Sequence, residues 1–141
     1  MPARYKFLPQ YGCLYLRFEE PFLFGKADDL VAAFTADQEF ERIHRIIFDL
    51  SRLTTIKIDV TRSSDKVAKV GSNFPREGGS IAVLAPTETS LSMAELLRGL
   101  WASHPMVTYQ VFSSDTELLT HLEIEQEIWD GLTDEALNTG L

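Results

Sequence analysis

The chain has 141 residues, 45% of them hydrophobic, which predicts one globular domain with a sizeable core rather than a disordered chain. Its formal net charge of −8 argues against binding to the phosphate backbone of nucleic acids, because that affinity depends on Lys and Arg. No apolar run approaches the roughly 18 residues that a membrane span needs, so we predict none.

A single cysteine, Cys13, excludes an internal disulfide and suits a reducing compartment. The first residues lack the apolar core of a secretory signal, so we expect a cytoplasmic protein. In a strand-like setting, Cys13 is expected to be a buried inert residue; a reactive thiol is the alternative.

The acidic charge is concentrated at one end. No Lys or Arg follows Arg98, whereas residues 1–98 hold equal numbers of basic and acidic side chains. Eight acids follow: Asp115, Glu117, Glu123, Glu125, Glu127, Asp130, Asp134 and Glu135.

In chain order, residues 3–8 and 12–19 predict two strands of a hairpin around Pro9 and Gly12, the second strand half-buried. A helix follows Gly25, with acids in its first turn, where they favour the helix dipole. Its apolar face is formed by Ala27, Leu30, Val31 and Phe34. A short helical turn through Phe40 and Ile43 leads to the next strand.

The stretch from Arg45 to Asp59 organises the chain. Its apolar run, Ile46 to Leu50, is broken only by Asp49, which is typical of a strand covered on both faces. Ligands and partners bind at the carboxyl ends of such strands in open α/β sheets. We therefore predict binding residues just there, at Asp49, Ser51, Thr54 and Asp59.

Asp59 also suits the N-cap of a helix that carries Val60, Val67 and Ala68. The loop over residues 71–80 is rich in Gly, Pro, Ser and Asn and lacks the spacing of a phosphate cradle. Within it, Phe74 is either a plug over the core or a contact point.

A second apolar strand, Ile81 to Ala85, stops at Pro86. The next helix has its apolar pattern at Met93, Leu96, Leu97, Leu100 and Trp101. Ser92 and Glu95 suit a capping box, with Thr87 as an earlier start.

A strand with alternating Val107, Tyr109 and Val111 comes next. Ser114 and Glu117 then suit a capping box for a helix that carries Leu118, Leu119 and Leu122.

After Leu122, Ile124, Ile128 and Leu132 recur every four residues beside Trp129, which predicts an amphipathic helix with an acidic outer face. This helix can run on from the preceding one. Its apolar stripe either completes the domain's own core or docks on a second subunit or another protein, with Trp129 as the leading contact.

Strands that alternate with helices at this spacing predict an α/β fold in a single domain. We expect a mostly parallel, mixed sheet of five strands with an N-terminal hairpin and about four to five helices.

The pattern does not predict an enzyme. The three histidines are scattered and Cys13 is alone, so we expect neither a metal site nor a cofactor. Asp49 and Asp59 could form a carboxylate pair, but a helix cap explains Asp59, and Asp49 can hydrogen-bond nearby backbone.

The central stretch resembles the signature of STAS-like (SpoIIAA-like) domains, in which a buried strand ends in an Asp-Leu-Ser/Arg motif with a following Thr and Asp. The matching residues are Asp49, Leu50, Ser51, Leu53, Thr54, Ile56 and Asp59. In order and spacing, Gly25, the stretch from Ile81 to Pro86, and that from Val111 to Asp115 resemble a poorly characterised bacterial branch of this superfamily. The resemblance covers about residues 3–122, so we place a STAS-like domain at 1–122 and an acidic amphipathic extension at 123–141.

This resemblance implies a non-enzymatic regulatory or protein-interaction module that binds a protein partner or a second copy of itself. Regulatory STAS domains carry a phosphorylated Ser at the start of the helix after the central strand. The nearest hydroxyls here are Thr61, Ser63 and Ser64, and none matches that position. The alternative is a carrier of a small apolar ligand or lipid, suggested by aromatic residues such as Phe22, Phe24, Phe74 and Trp101.

Overall fold

A mixed β-sheet with helices on both faces forms the centre of the molecule. The structure, a computed structural model, describes residues 3–18, 28–54, 79–102, 104, 106–132 and 138–139. The spatial order of the strands is β5-β4-β3-β2-β1-β6. The strands are β1 (Ala3–Leu8), β2 (Cys13–Phe18), β3 (Arg45–Asp49), β4 (Ser80–Leu84), β5 (Thr108–Phe112) and β6 (Asn138–Thr139).

Strands β1 and β2 form the predicted hairpin, in antiparallel register from Ala3 opposite Phe18 to Leu8 opposite Cys13. A 3-10 turn at Pro9–Tyr11 connects them and ends at Gly12, whose φ of 61° is left-handed. Glycine takes that conformation at little cost. A Cβ there would overlap the imidazole of His44, an exposed side chain that can turn aside, so the left-handed conformation is what favours glycine at this position.

The next three pairings, β2 with β3, β3 with β4 and β4 with β5, are parallel. The prediction of an α/β fold with a mixed, mostly parallel sheet is therefore confirmed, including its five main strands. The sequence did not predict β6, which is two residues long and pairs antiparallel with the outer edge of β1.

The expectation that β2 is half-buried was wrong. All six of its residues are buried, because β2 lies inside the sheet and is covered on both faces. The alternation of side chains along the strand sends them to two different cores rather than to a core and to solvent. Arg17 is thereby buried, at 3% exposure.

Two clusters of buried side chains fill the space between the sheet and its helices. The larger one includes residues of β2, β3 and β4 on one face of the sheet, such as Leu16, Phe48 and Val83. The smaller one lies on the other face and includes Tyr15, Ile47, Ala82, Leu84, Leu118, Leu122, Ile124, Trp129 and Leu132.

The helices that cover these faces agree broadly with the sequence pattern. A 3-10 segment, Gln38–Arg42, forms the predicted short turn and buries Phe40. The predicted helix after Asp59 lies outside the described residues, as does Phe74. The four described helices are α1 (Asp28–Ala36), α2 (Glu88–Trp101), α3 (Asp115–Leu122) and α4 (Gln126–Gly131).

Helix α2 begins earlier than the Ser92–Glu95 pattern suggested. Thr87 is its N-cap and forms a reciprocal capping box with Ser90, whose hydroxyl accepts from the Thr87 amide at 2.9 Å. Ser90 carries out the role usual for Glu or Gln at this position. Leu96 was also assigned wrongly: it is 44% exposed, while Leu97 is fully buried.

Ser114 caps α3, since its hydroxyl accepts from the amide of Glu117 at 3.2 Å. The other half of the predicted capping box does not form, because the Glu117 carboxylate accepts from the Ser113 hydroxyl at 3.3 Å. The chain then breaks at Glu123, whose φ of 57° is left-handed, so α4 is a separate helix rather than a continuation of α3. The apolar side chains of the tail pack on the sheet of their own chain, where Trp129 is 6% exposed. The acids of α4 and its flanks face solvent, as expected.

Across the described ranges, no helix has both the length and the apolar character required to traverse a bilayer.

The exposure of neighbouring positions on α2 gives a matched test of this packing. Leu97→Ala should lower the free energy of unfolding by roughly 2–5 kcal/mol, because it leaves a cavity in the larger cluster. Leu96 is the preceding residue and is exposed, so Leu96→Ala should lower the free energy of unfolding by less than about 0.5 kcal/mol. Urea unfolding of the two variants measures both values, and equal losses would show that the helix face is misassigned.

Candidate functional site

A cleft of about 400 Å³ opens at the carboxyl ends of the parallel strands. We call it the carboxyl-edge cleft. Its floor and rim come from the ends of β2, β3 and β4 and from the turn between β5 and α3, and α4 with its following residue forms a wall. The lining residues are Tyr15, Arg17, Asp49, Ser51, Arg52, Leu84, Pro86, Ser113, Ser114, Asp115, Trp129 and Leu132.

The topology explains why a cleft forms here. Tyr15, Asp49 and Leu84 belong to the sheet face that α3 and α4 cover. Helix α3 begins at the carboxyl edge, and its last carbonyl, at Leu122, accepts from Arg45 at the opposite end of β3, 3.0 Å away. The chain returns through α4 to Leu132, so a gap remains between the start of α3 and the end of α4.

Asp49 accepts three hydrogen bonds in the cleft. One carboxylate oxygen accepts a hydrogen bond from the Tyr15 hydroxyl. The other accepts from the Ser51 amide at 3.0 Å and from the Ser51 hydroxyl at 2.5 Å. A buried carboxylate needs such donors, and Asp49 is only 5% exposed. This agrees with the expectation that Asp49 hydrogen-bonds nearby backbone, and adds two side-chain donors.

Arg17 extends this network to the C-terminal part of the chain. Its Nε donates to the Tyr15 hydroxyl at 3.2 Å, and its Nη2 donates to the carbonyl of Leu132. The rings of Tyr15 and Trp129 also meet edge to face, with centroids 5.4 Å apart. The central strand and the wall at α4 are therefore joined through β2.

Tyr15 acts as a fixed hydrogen-bond donor. Burial, together with the neighbouring Asp49 carboxylate, raises the pKa of Tyr15 far above its ordinary value. Its hydroxyl therefore stays protonated at neutral pH and cannot serve as a base there. All three histidines of the chain lie outside the cleft lining, so Ser51 has no imidazole beside it there.

The cleft brings together three of the predicted binding residues, Asp49, Ser51 and Trp129. Thr54 is exposed and lies beyond the lining. The other predicted sites lie outside the described residues: Asp59, Phe74, Thr61, Ser63 and Ser64.

Sequence reasoning missed Tyr15, Arg17, Arg52, Ser113, Ser114 and Asp115. One signal was present, because Arg17 stands near the carboxyl end of an otherwise apolar strand. A charged residue there needs buried partners, as Tyr15 and Leu132 now provide.

Metal binding finds no support in the described residues, which contain no group of three His, Cys, Asp or Glu side chains able to hold an ion.

No protein-family model matches this sequence, and the search of curated proteins also finds no match.

Removing the Tyr15 hydroxyl tests the network directly. Tyr15→Phe leaves Asp49 and Arg17 each short of a buried partner, so we expect a loss of roughly 1–3 kcal/mol in the free energy of unfolding. Tyr109→Phe is the control, since its hydroxyl makes a single bond, to the carbonyl of Ala94 at 2.7 Å. If chemical denaturation shows that Tyr15→Phe loses no more free energy of unfolding than Tyr109→Phe, the network around Tyr15 does not stabilise the fold.

Cys13 supplies a prediction about pH. It is fully buried on β2, and burial raises the pKa of its thiol from 9.0 to about 11, although Arg45 acts in the opposite direction. A raised pKa in the folded state means that the native protein holds this proton more tightly than the unfolded chain. The resulting stability is present in full below pH 9 and is lost as the pH rises towards about 11.

The measurement is urea unfolding at pH 8 and pH 10.5 for the wild type and for Cys13→Ala. The variant should lose less stability between the two values, because one titrating group has been removed. The wild-type protein also tests the expectation that Cys13 is buried and inert. At pH 8 the Cys13 thiol should react with a disulfide reagent only as the protein unfolds. Equal pH dependence in both proteins would contradict this account.

Proposed function

We propose that this chain is a non-enzymatic regulatory or protein-interaction module of STAS-like type, acting in the bacterial cytoplasm. The order of sequence motifs supports this proposal, as does a sheet in which an N-terminal hairpin leads into three successive parallel pairings. The expected occupant of its binding surface is a protein partner or a second copy of the chain.

The observation that carries the proposal is the anchored turn after β3. Leu50 and Leu53 are buried at 0% and 3% exposure, and the amide of Leu53 donates to the carbonyl of Leu50 at 3.1 Å. The Leu50 amide also donates to the carbonyl of Leu84 at 3.0 Å. Between and after these anchors, Arg52 and Thr54 are exposed. A fixed turn that displays polar side chains suits recognition of another molecule.

The state of Asp49 supports a role without catalysis. An acid that acts as a base needs an oxygen available to the substrate, whereas both oxygens of Asp49 receive donors from Tyr15 and Ser51. Its hydrogen bonds to Ser51 also fix the start of the exposed turn. Asp49 is thus explained as a structural residue that positions the proposed recognition surface.

The acidic end of the chain fits a basic partner surface. Glu123, Glu125, Glu127 and Asp130 are all exposed around α4. Such a field speeds encounter with positive surfaces and disfavours anionic membranes and nucleic acids. Regulation by phosphorylation at Thr61, Ser63 or Ser64 belongs to the same proposal.

A carrier of an apolar ligand or lipid is the second proposal, and the cleft favours it less. Its lining includes two arginines and two aspartates. Trp101 does not line it but packs in the core, where it is 3% exposed and its ring centroid lies 6.4 Å from that of Phe48. Lipid recovered from the purified protein by native mass spectrometry would revive this proposal.

The test places a bulky charge on the exposed turn. Thr54→Arg should abolish capture of the partner that the wild-type module retains from its native host, identified by mass spectrometry. Thr120→Arg is the matched control, because Thr120 is exposed on α3, away from the turn, and should leave capture unchanged.

Retention of the same partner by Thr54→Arg would remove the turn from the interface. A wild-type protein that captures nothing while it turns over a metabolite would overturn the module itself.

A further inference from the structure

The deep polar groups of the carboxyl-edge cleft already have partners within the protein. Asp49 is bound by Tyr15 and Ser51, and Arg17 is bound to Tyr15 and to the carbonyl of Leu132. These groups shape the cleft and are not left to recognise a ligand by charge.

Two charged side chains of the lining, Arg52 and Asp115, differ from them. Both are exposed, and within the described part of the chain neither takes part in a hydrogen bond or an ion pair. Other exposed arginines do have partners: Arg42 pairs with Glu39 at 3.2 Å, and Arg98 pairs with Glu95 at 2.9 Å.

The sheet sets the spacing between these two charges. Arg52 follows β3 and Asp115 follows β5, and β4 lies between those strands. Two strand spacings amount to roughly 10 Å at the level of the backbone. The surface between them is the end of β4, where Leu84 and Pro86 line the cleft.

We propose that the carboxyl-edge cleft binds a small dipolar ion. An anionic group, such as a carboxylate, meets Arg52, a cationic amine meets Asp115, and a short apolar middle lies over Leu84 and Pro86. A volume of about 400 Å³ lies within the range of small-molecule sites and leaves room for a short dipolar ion. Ligands of open α/β sheets occupy this edge. This proposal depends only on the cleft and not on the proposed protein partner. It would give the interaction module a small-molecule ligand as well.

The experiment titrates the whole chain with a length series of amino acids: glycine, 4-aminobutanoate and 6-aminohexanoate. Butanoate and butylamine serve as matched probes that carry one charge each. Isothermal calorimetry and amide chemical shifts measure the affinity. At least one amino acid of the series should bind about fivefold more tightly than either single-charge probe, the size expected from one additional exposed ion pair.

Three variants locate the site. Arg52→Gln and Asp115→Asn should each weaken binding of the best amino acid about fivefold, since each removes one ion pair. Arg42→Gln removes an exposed arginine outside the cleft and should leave the affinity unchanged. All three positions are exposed, so the variants should keep the fold, which circular dichroism checks.

The proposal fails if no amino acid of the series binds with a dissociation constant below about 10 mM. It fails equally if the single-charge probes bind as well as the amino acids, or if affinity depends on Arg52 but not on Asp115. None of these results bears on capture of a protein partner by the turn at Thr54, so the two proposals can fail separately.

Discussion

The burial of Asp49 and Arg17 on one face of the sheet is the constraint on which the rest of the carboxyl edge depends. Neither charge can leave water without partners. Tyr15 satisfies both, because its hydroxyl donates to Asp49 and accepts from Arg17. Further donors to Asp49 come from the turn after β3, and a further acceptor for Arg17 comes from Leu132, so this buried pair contacts two segments that lie far apart in the sequence.

This arrangement separates structure from recognition within a single motif. In the stretch from Asp49 to Thr54, the acid and two leucines face inward, whereas Arg52 and Thr54 face solvent. The buried members determine where the turn lies, and the exposed members are accessible to another molecule. The interaction proposal and the dipolar-ion proposal both use exposed side chains that the buried ones hold in position.

Hydrophobic patterning was enough to predict the five main strands and the presence of helices α1, α2 and α3, because strands and helices differ clearly in the period of their apolar residues, but it misplaced the start of α2. It failed where tertiary position decides burial. The alternation in β2 could not reveal a second core on its other face, and Leu96 has the same apolar character as Leu97. The sequence could predict that a site lies at the carboxyl edge of the sheet, but not which side chains meet there. Asp115 lies there because of the strand order, and Trp129 lies there because the chain changes direction at Glu123.

The bond from Arg17 to the carbonyl of Leu132 joins residues 115 positions apart. During synthesis, β2 and the central strand therefore leave the ribosome long before the wall of the cleft exists. Until Leu132 has been synthesised, the Arg17 guanidinium lacks this acceptor and the wall of the cleft is absent. Contacts of such separation form late because the intervening loop must be closed first. The Leu132 carbonyl, which also lines the cleft, thus becomes available to Arg17 only late in synthesis.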